Sequence, residues 1–297
     1  MKLEFITVSP VILSPRIEKA LYKGIDFKEV VDNTKNLKIE KEENIININF
    51  VYPFYSYEDR DLLPEKNFSY ASKYYIPASS LKGALLVDKT DKDESMLRSK
   101  ILFRDISIGS QYIELNNLYK FQYLYQEVEG ENNNGQENVN GKQKLEYKSP
   151  KFEPFFPGVA IEMIGIDKEF KGEILLKSGI SEETLNRKLE ESYYITKIKL
   201  DNYIKEIKQR IEKINSWIKD GKLKEDDEKE YINKLECVEQ NIKSLVKKDV
   251  KLIFLGGYKS ILGSLTTQLD ENKKVQNGFY IDKESMLPYG LVEVKQV

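Results

Sequence analysis

The 297-residue chain contains no histidine. That absence removes every histidine general base, every Ser-His-Asp or Cys-His arrangement and every metal site that needs imidazole. A single cysteine, Cys237, excludes an intramolecular disulfide and any multi-cysteine zinc or iron–sulfur site. On an apolar helical stripe it reads as a packed, inert thiol. No apolar run approaches the ~18 residues of a membrane-spanning helix. The first residues, Met1-Lys2-Leu3-Glu4-Phe5-Ile6, lack the apolar stretch and small-residue cleavage site of a secretory signal. A soluble, cytoplasmic protein with no membrane partner is the expectation. A basic excess is missing too, since Lys+Arg 47 against Asp+Glu 49 gives -2. Nucleic-acid binding through diffuse charge alone needs such an excess. Any binding of that kind must therefore use a few positioned donors or partner subunits.

What is present suffices for a core: 40% of residues are hydrophobic and 32% charged. Residues 3–8 read as a strand ending at Ser9-Pro10. Residues 16–31 alternate charged and apolar side chains and predict a short helix. The β-branched and aromatic run 44–52 predicts a strand, and 53–73 an ordered loop. A helix is expected from about Ser79 or Ser80, either of which can cap it, with Leu81, Ala84 and Leu85 on its apolar face. Residues 93–100 predict a further helical piece, and 101–108 and 112–125 predict strands. Residues 127–146 are polar and of low complexity, so a mobile loop is expected. Beyond Pro157-Gly158, the runs 159–166 and 172–177 predict a hairpin.

Residues 181–248 have a different period. Ser181 can cap a helix whose first turn carries Glu182 and Glu183. Leu200, Ile204, Ile207, Ile211, Ile214 and Ile218 then recur at spacings of four and three, a coiled-coil seam. After Gly221, Asp226 can cap a second helix with Ile232, Leu235, Val238, Ile242 and Leu245 on one stripe. The two predict an antiparallel hairpin inserted into, and projecting from, a β-rich body. Strands at 251–255 and 291–295 complete that body.

Two segments carry the chemistry. Around Pro77-Ala78-Ser79-Ser80-Leu81-Lys82-Gly83, a helix N-terminus offers unpaired N–H groups to a phosphate. Ser79 and Ser80 add hydroxyls, Lys82 a charge, and Gly83 room for another backbone. The same pattern fits an ordinary capped helix with a solvent-facing lysine. The second segment is Gly256-Gly257-Tyr258-Lys259-Ser260-Ile261-Leu262-Gly263-Ser264. Its glycines let main-chain N–H groups face a ligand, and Lys259 can neutralise a phosphate. It lacks the order and spacing of a Walker A loop or a dinucleotide fingerprint, and a tight turn explains its glycines equally well. Exposed aromatics at 52–57 or 74–75 can stack on bases. The carboxylates Asp32, Asp59 and Asp61 show no clustering of the kind a metal-dependent nuclease needs.

The order of the pieces is more specific than any one of them. Val8-Ser9-Pro10-Val11-Ile12, Tyr75-Ile76-Pro77-Ala78-Ser79-Ser80-Leu81-Lys82-Gly83-Ala84-Leu85, Phe103-Arg104-Asp105-Ile106-Ser107, Phe156-Pro157-Gly158-Val159, the 255–264 glycine-rich run and Leu287-Pro288-Tyr289-Gly290-Leu291-Val292 follow one another. Together they resemble the RAMP superfamily of CRISPR proteins, and within it the fifth subunit of the type III-A Csm effector complex. Ala78 stands where the family signature has glycine, Leu86 where arginine is common, and the histidine of the opening motif is absent.

The resemblance implies an α+β, ferredoxin-like (RRM-like) RAMP body over residues 1–180 and 249–297, with the helical hairpin 181–248 inserted. It implies a non-catalytic subunit that binds CRISPR RNA without a cofactor or metal. That subunit would cap the backbone filament near the guide's 3′ end, docked on the adjacent backbone RAMP subunit, with target RNA as a further partner. Ser79, Ser80, Lys82, Gly83 and Arg104 would contact phosphates or sugars. Gly256, Gly257, Lys259, Ser260 and Gly263 would form a second cradle. Two alternatives stay open: a metal-dependent endoribonuclease using Asp32, and an adaptor acting through the helices of 181–248.

Overall fold

The computed structural model describes residues 1–30, 48–58, 60, 63–87, 98–122, 125–128, 144–147, 149–269 and 278–297. Asp32, Asp59, Asp61, most of the helix expected at 93–100 and the tip of the polar segment lie outside the described residues. The architecture is α+β, with several antiparallel sheets and helices.

The first strand, β1 (Lys2–Thr7), is central. Leu3 and Phe5 point inward and alternate with more exposed residues. Five strands form its antiparallel sheet in the order β14 (Leu252–Phe254), β16 (Leu291–Gln296), β1, β13 (Glu169–Leu176) and β5 (Ile101–Phe103). The two ends of the chain therefore lie side by side, with Phe5 opposite both Phe170 and Val294. The Phe5 and Phe170 rings stack at 5.3 Å. Buried Thr7 and Ser9 are satisfied across this junction: Thr7 donates to the Gly165 carbonyl at 2.7 Å and Ser9 to that of Pro288 at 2.6 Å.

A second sheet runs β2 (Leu21–Tyr22), β3 (Phe50–Tyr52), β12 (Val159–Ile164) and β7 (Ile113–Asn116), with β3 parallel to β12. Smaller groups are β4 (Lys73–Ile76) with β6 (Ile106–Gly109), and β11 (Phe152–Pro154) with β8 (Tyr119–Phe121) and β15 (Phe279–Tyr280). The ends of the polar segment pair as β9 (Tyr125–Val128) and β10 (Lys144–Tyr147).

Four local expectations change. Residues 16–31 hold a 3-10 turn at Arg16–Lys19 followed by β2, not a helix of useful length. The strands at 159–166 and 172–177 are not hairpin partners. All of β12 is buried whereas β13 alternates, so the chain crosses at Gly165 and Asp167 (φ 57) into a different sheet. The hairpin helices also do not project. The described helices include α1 (Ala78–Leu85), α2 (Glu182–Lys219) and α3 (Glu225–Lys247). Ser181 caps α2, accepting from the Thr184 N–H at 3.2 Å. Lys224, not Asp226, holds the N-cap position of α3, and Asp226 joins Glu225, Asp227 and Glu228 in its first turn, at the positive end of the dipole.

Along the seam of α2, Leu200, Ile207 and Ile214 are buried, but Ile204, Ile211 and Ile218 only partly so. Tyr203, Glu206, Arg210 and Trp217 are buried as well. More than one face of α2 is covered. Toward α3 it meets Tyr231, Leu235, Val238, Ile242 and Leu245, and the same cluster continues into Phe121, Phe254, Phe279 and Leu291 of the body. The buried Arg210–Glu206 pair, at 2.6 Å, is finished by a bond from Arg210 to the Gln122 carbonyl at 3.0 Å.

Because helices and sheet share this cluster, Ile207→Ala should destabilise the whole chain by roughly 2–5 kcal/mol. In urea, fluorescence of the sole tryptophan, Trp217 on α2, should change at the same denaturant concentration as the far-ultraviolet dichroism. Two separate transitions would show that the hairpin folds on its own.

Candidate nucleic-acid interface

The glycine-rich segment leaves β14 at Phe254 and passes close beneath the N-terminal segment. Gly256 has φ 94, and a Cβ there would sit 2.4 Å from the Ile12 carbonyl. The next N–H, of Gly257, donates to that carbonyl at 2.8 Å. Both the left-handed backbone and the close approach demand glycine at 256. Tyr258 and Ser260 also have positive φ, 54 and 58. The turn closes where the Gly263 N–H donates to the Lys259 carbonyl at 3.1 Å. Tyr203 of α2 donates its hydroxyl to the same carbonyl and lies 2.9 Å from the Ser260 hydroxyl. Helix α2 therefore pins the turn.

This turn forms one wall of a cleft of about 1060 Å³. Gly256, Gly257, Lys259, Ser260 and Gly263 all line it, and so does Gly83 at the end of α1. Two segments from distant parts of the sequence thus meet at one opening. An added Cβ at Gly83 would meet nothing within 4 Å, so Gly83 faces open space and not the close backbone contact expected of it. Lys199 of α2 also lines it, as do the aromatic residues Tyr52, Phe156, Tyr258 and Tyr280.

The other expected contacts lie apart from this cleft. Pro77 is the N-cap of α1 and has no side-chain cap, so Ser79 and Ser80 sit inside the first turn. The Ala78 N–H donates to the Asp105 carboxylate at 2.7 Å, and Tyr57 donates to the other oxygen at 3.0 Å. Asp105 thereby occupies the place a phosphate would take at this helix end. Its neighbour Arg104 is exposed. Lys82 is half-buried, and burial, reinforced by the charges of Arg98 and Lys177, lowers its pKa. It belongs to a separate group of cations beside α1.

The lysines of the cleft have an unusual setting. The Lys259 ammonium turns inward and donates to the Phe254 carbonyl at 3.0 Å. Burial, with the charge of Lys199 adding to it, pushes its pKa down to about 8. Lys199 is buried and its pKa is lowered by the same desolvation. Among the described residues, no carboxylate pairs with either lysine. Two like charges held out of water without a counter-ion are costly, and an anion from outside would relieve that cost.

Sequence reasoning missed Lys199, which reads as one of many lysines on a solvated helix. Only the packing of α2 onto the body reveals it. Tyr52 fell within the aromatic stretch singled out for stacking, but Tyr74 of the second stretch is buried and Tyr75 stacks on Tyr57 at 4.0 Å. Phe156 lies in the Phe156-Pro157-Gly158-Val159 segment but outside the stretches singled out for stacking, and Tyr280 carries no local signal. Among the described residues, no group of three or more cysteine, aspartate or glutamate side chains is placed to hold a metal ion. No described helix is long and apolar enough to cross a membrane.

No family model matches the sequence, and no curated protein matches it. Among solved structures, one match is a chain from a cryo-EM structure of a Csm-crRNA-target RNA ternary complex in a type III-A CRISPR-Cas system. It has a TM-score of 0.32 and 10% identity, over 66% of this chain. The match covers 49% of that chain, so this chain spans about half its length.

The cleft should hold anions best when Lys259 is charged. Its folded pKa of about 8 lies below its ordinary 10.5. Between those values the unfolded chain binds the extra proton, so this group makes folding more favourable as pH rises. Anion affinity runs the other way. Titration with a short single-stranded RNA at fixed salt should show affinity falling as pH passes from 7 to 9.5, about the pKa of 8, and Lys259→Met should flatten that profile.

Proposed function

We propose that this chain is a non-catalytic RNA-binding subunit of a type III-A CRISPR effector complex. In this reading a ferredoxin-like RAMP body grips the CRISPR RNA near the 3′ end of the guide. It caps the backbone filament by docking on the last backbone RAMP subunit, and target RNA passes nearby.

The observation that carries the reading is the cleft, which Gly83 of α1 and the glycine turn, from the two most family-like segments, line together with buried Lys199 and half-buried Lys259. Main-chain glycine, lysine and aromatic faces are what a ribose-phosphate strand with unpaired bases requires. The net charge of -2 suits a subunit that holds a short length of RNA and relies on protein contacts for the rest of its affinity. In the same reading Ser79, Ser80, Lys82 and Arg104 contact the strand outside the cleft, since none of them lines it.

The assembled complex provides the test. RNA that copurifies with it should lose occupancy or change its 3′ boundary when the subunit carries Lys82→Glu together with Lys259→Glu. Unchanged occupancy and boundary would overturn the assignment. The same assembly with Asp32→Ala should cleave RNA in magnesium as well as the wild type does, and loss of cleavage would favour the endoribonuclease. Removal of residues 181–248 tests the adaptor, which predicts lost assembly without any effect of the lysine changes.

A further inference from the structure

The aromatic side of the cleft is a connected set of rings. Phe156 contacts Phe155 at 4.1 Å, Phe155 meets Tyr280 edge-on at 5.4 Å, and Tyr280 meets Tyr258 edge-on at 5.7 Å. Lys120 lies 4.1 Å above Phe155 and holds that ring from outside the cleft lining. Phe156 itself remains 37% exposed, a large apolar ring open to solvent at the rim. Lys199, from α2, and Lys259, from the glycine turn, line the same cleft without a described carboxylate partner.

We infer that the cleft binds a single strand of RNA, with Lys199 and Lys259 bracketing the backbone phosphate and Phe156 stacking on a neighbouring base. This rests on the RNA-binding reading and adds to it the strand state, a phosphate contact supplied by the helical hairpin, and a stacking platform. A duplex buries its base faces, so stacking on Phe156 is open only to unpaired bases. The cleft volume, about 1060 Å³, lies just above the roughly 300–1,000 Å³ typical of small-molecule pockets, which suits a short stretch of chain.

The test is fluorescence anisotropy of the full chain with a labelled short oligouridylate and with an RNA duplex of equal length, at several salt concentrations. The oligouridylate should bind at least about fivefold tighter, as stacking of one base implies. Lys199→Gln should reduce the steepness of the salt dependence by about 0.7 in the log–log slope, the loss of one phosphate contact to a single strand. Lys199→Arg should restore it. Phe156→Ala should weaken binding by roughly five- to a hundredfold while leaving the salt slope alone. Thermal unfolding of each variant separates lost contacts from lost fold, and Phe156→Leu provides a milder change at the same place. If the wild type binds neither RNA, the RNA-binding reading itself fails. If it binds single strands but the Lys199 and Phe156 variants bind equally well, or if duplex binds as tightly, only this inference fails.

Discussion

Tyr203 ties the molecule together. It is fully buried in α2, with its ring 6.3 Å from Phe254 and 5.8 Å from Phe279, and its hydroxyl grips the carbonyl of Lys259. One side chain therefore links helix, sheet and glycine turn. The strained positions at Tyr258 and Ser260 persist only if their surroundings over-determine them. Gly256 beneath Ile12 fixes one end of the turn and Tyr203 the other. The cleft-lining turn is thus set by the hydrophobic contacts of a helix remote in sequence. The burial of α2 becomes a condition for the cleft's shape as well as a source of stability.

A second polar anchor is centred on β12. Glu162, fully buried in β12, accepts from Arg60 at 2.6 and 2.7 Å, from Tyr74 at 2.9 Å and from the Phe54 N–H at 2.9 Å. The Arg60 guanidinium lies 5.5 Å from the ring centroids of both Phe68 and Tyr74. A buried carboxylate with this many donors is well compensated, and removing a partner would expose the full desolvation cost. The network joins β12 and β4 to the segment around Phe54. Phe54 follows β3, which carries Tyr52, by two residues, and Glu162 shares β12 with Val159, three residues after Phe156.

The sequence reads most clearly where one physical signal dominates. Alternation identifies β1, the Ser181 cap opens α2, and the helical period runs through Ile242. It fails where packing decides. Val159–Ile164 looks like half of a hairpin because apolar runs do not say which sheet they enter, and full burial on both faces sends β12 away from β13. The isoleucine stripe announces a helical pair but not that Tyr203, Glu206 and Arg210 on α2 are buried too. At the cleft, the glycine turn is visible from composition, while Lys199 is not, because a lysine on a charged helix looks solvated until the body covers it. At the start of α1 the sequence shows the N–H groups but not their partner: Asp105, next in sequence to Arg104, accepts from the Ala78 N–H.

A chain of net charge -2 can still bind a polyanion if its positive charge is concentrated where water is excluded. Lys199 and Lys259 do this at a cost to the free protein, since each ammonium is desolvated and each repels the other. A bound phosphate reverses both terms. Such a site is poor at holding diffuse counter-ions on an open surface and good at holding one charged group that fits. Surface lysines act in the opposite way, adding long-range attraction that salt screens within about 10 Å at 0.1 M. In the proposed reading the two kinds of cation divide the work: those beside α1, of which Lys177 is exposed, add long-range attraction, and Lys199 with Lys259, which line the cleft with Gly256 and Gly257, hold one phosphate.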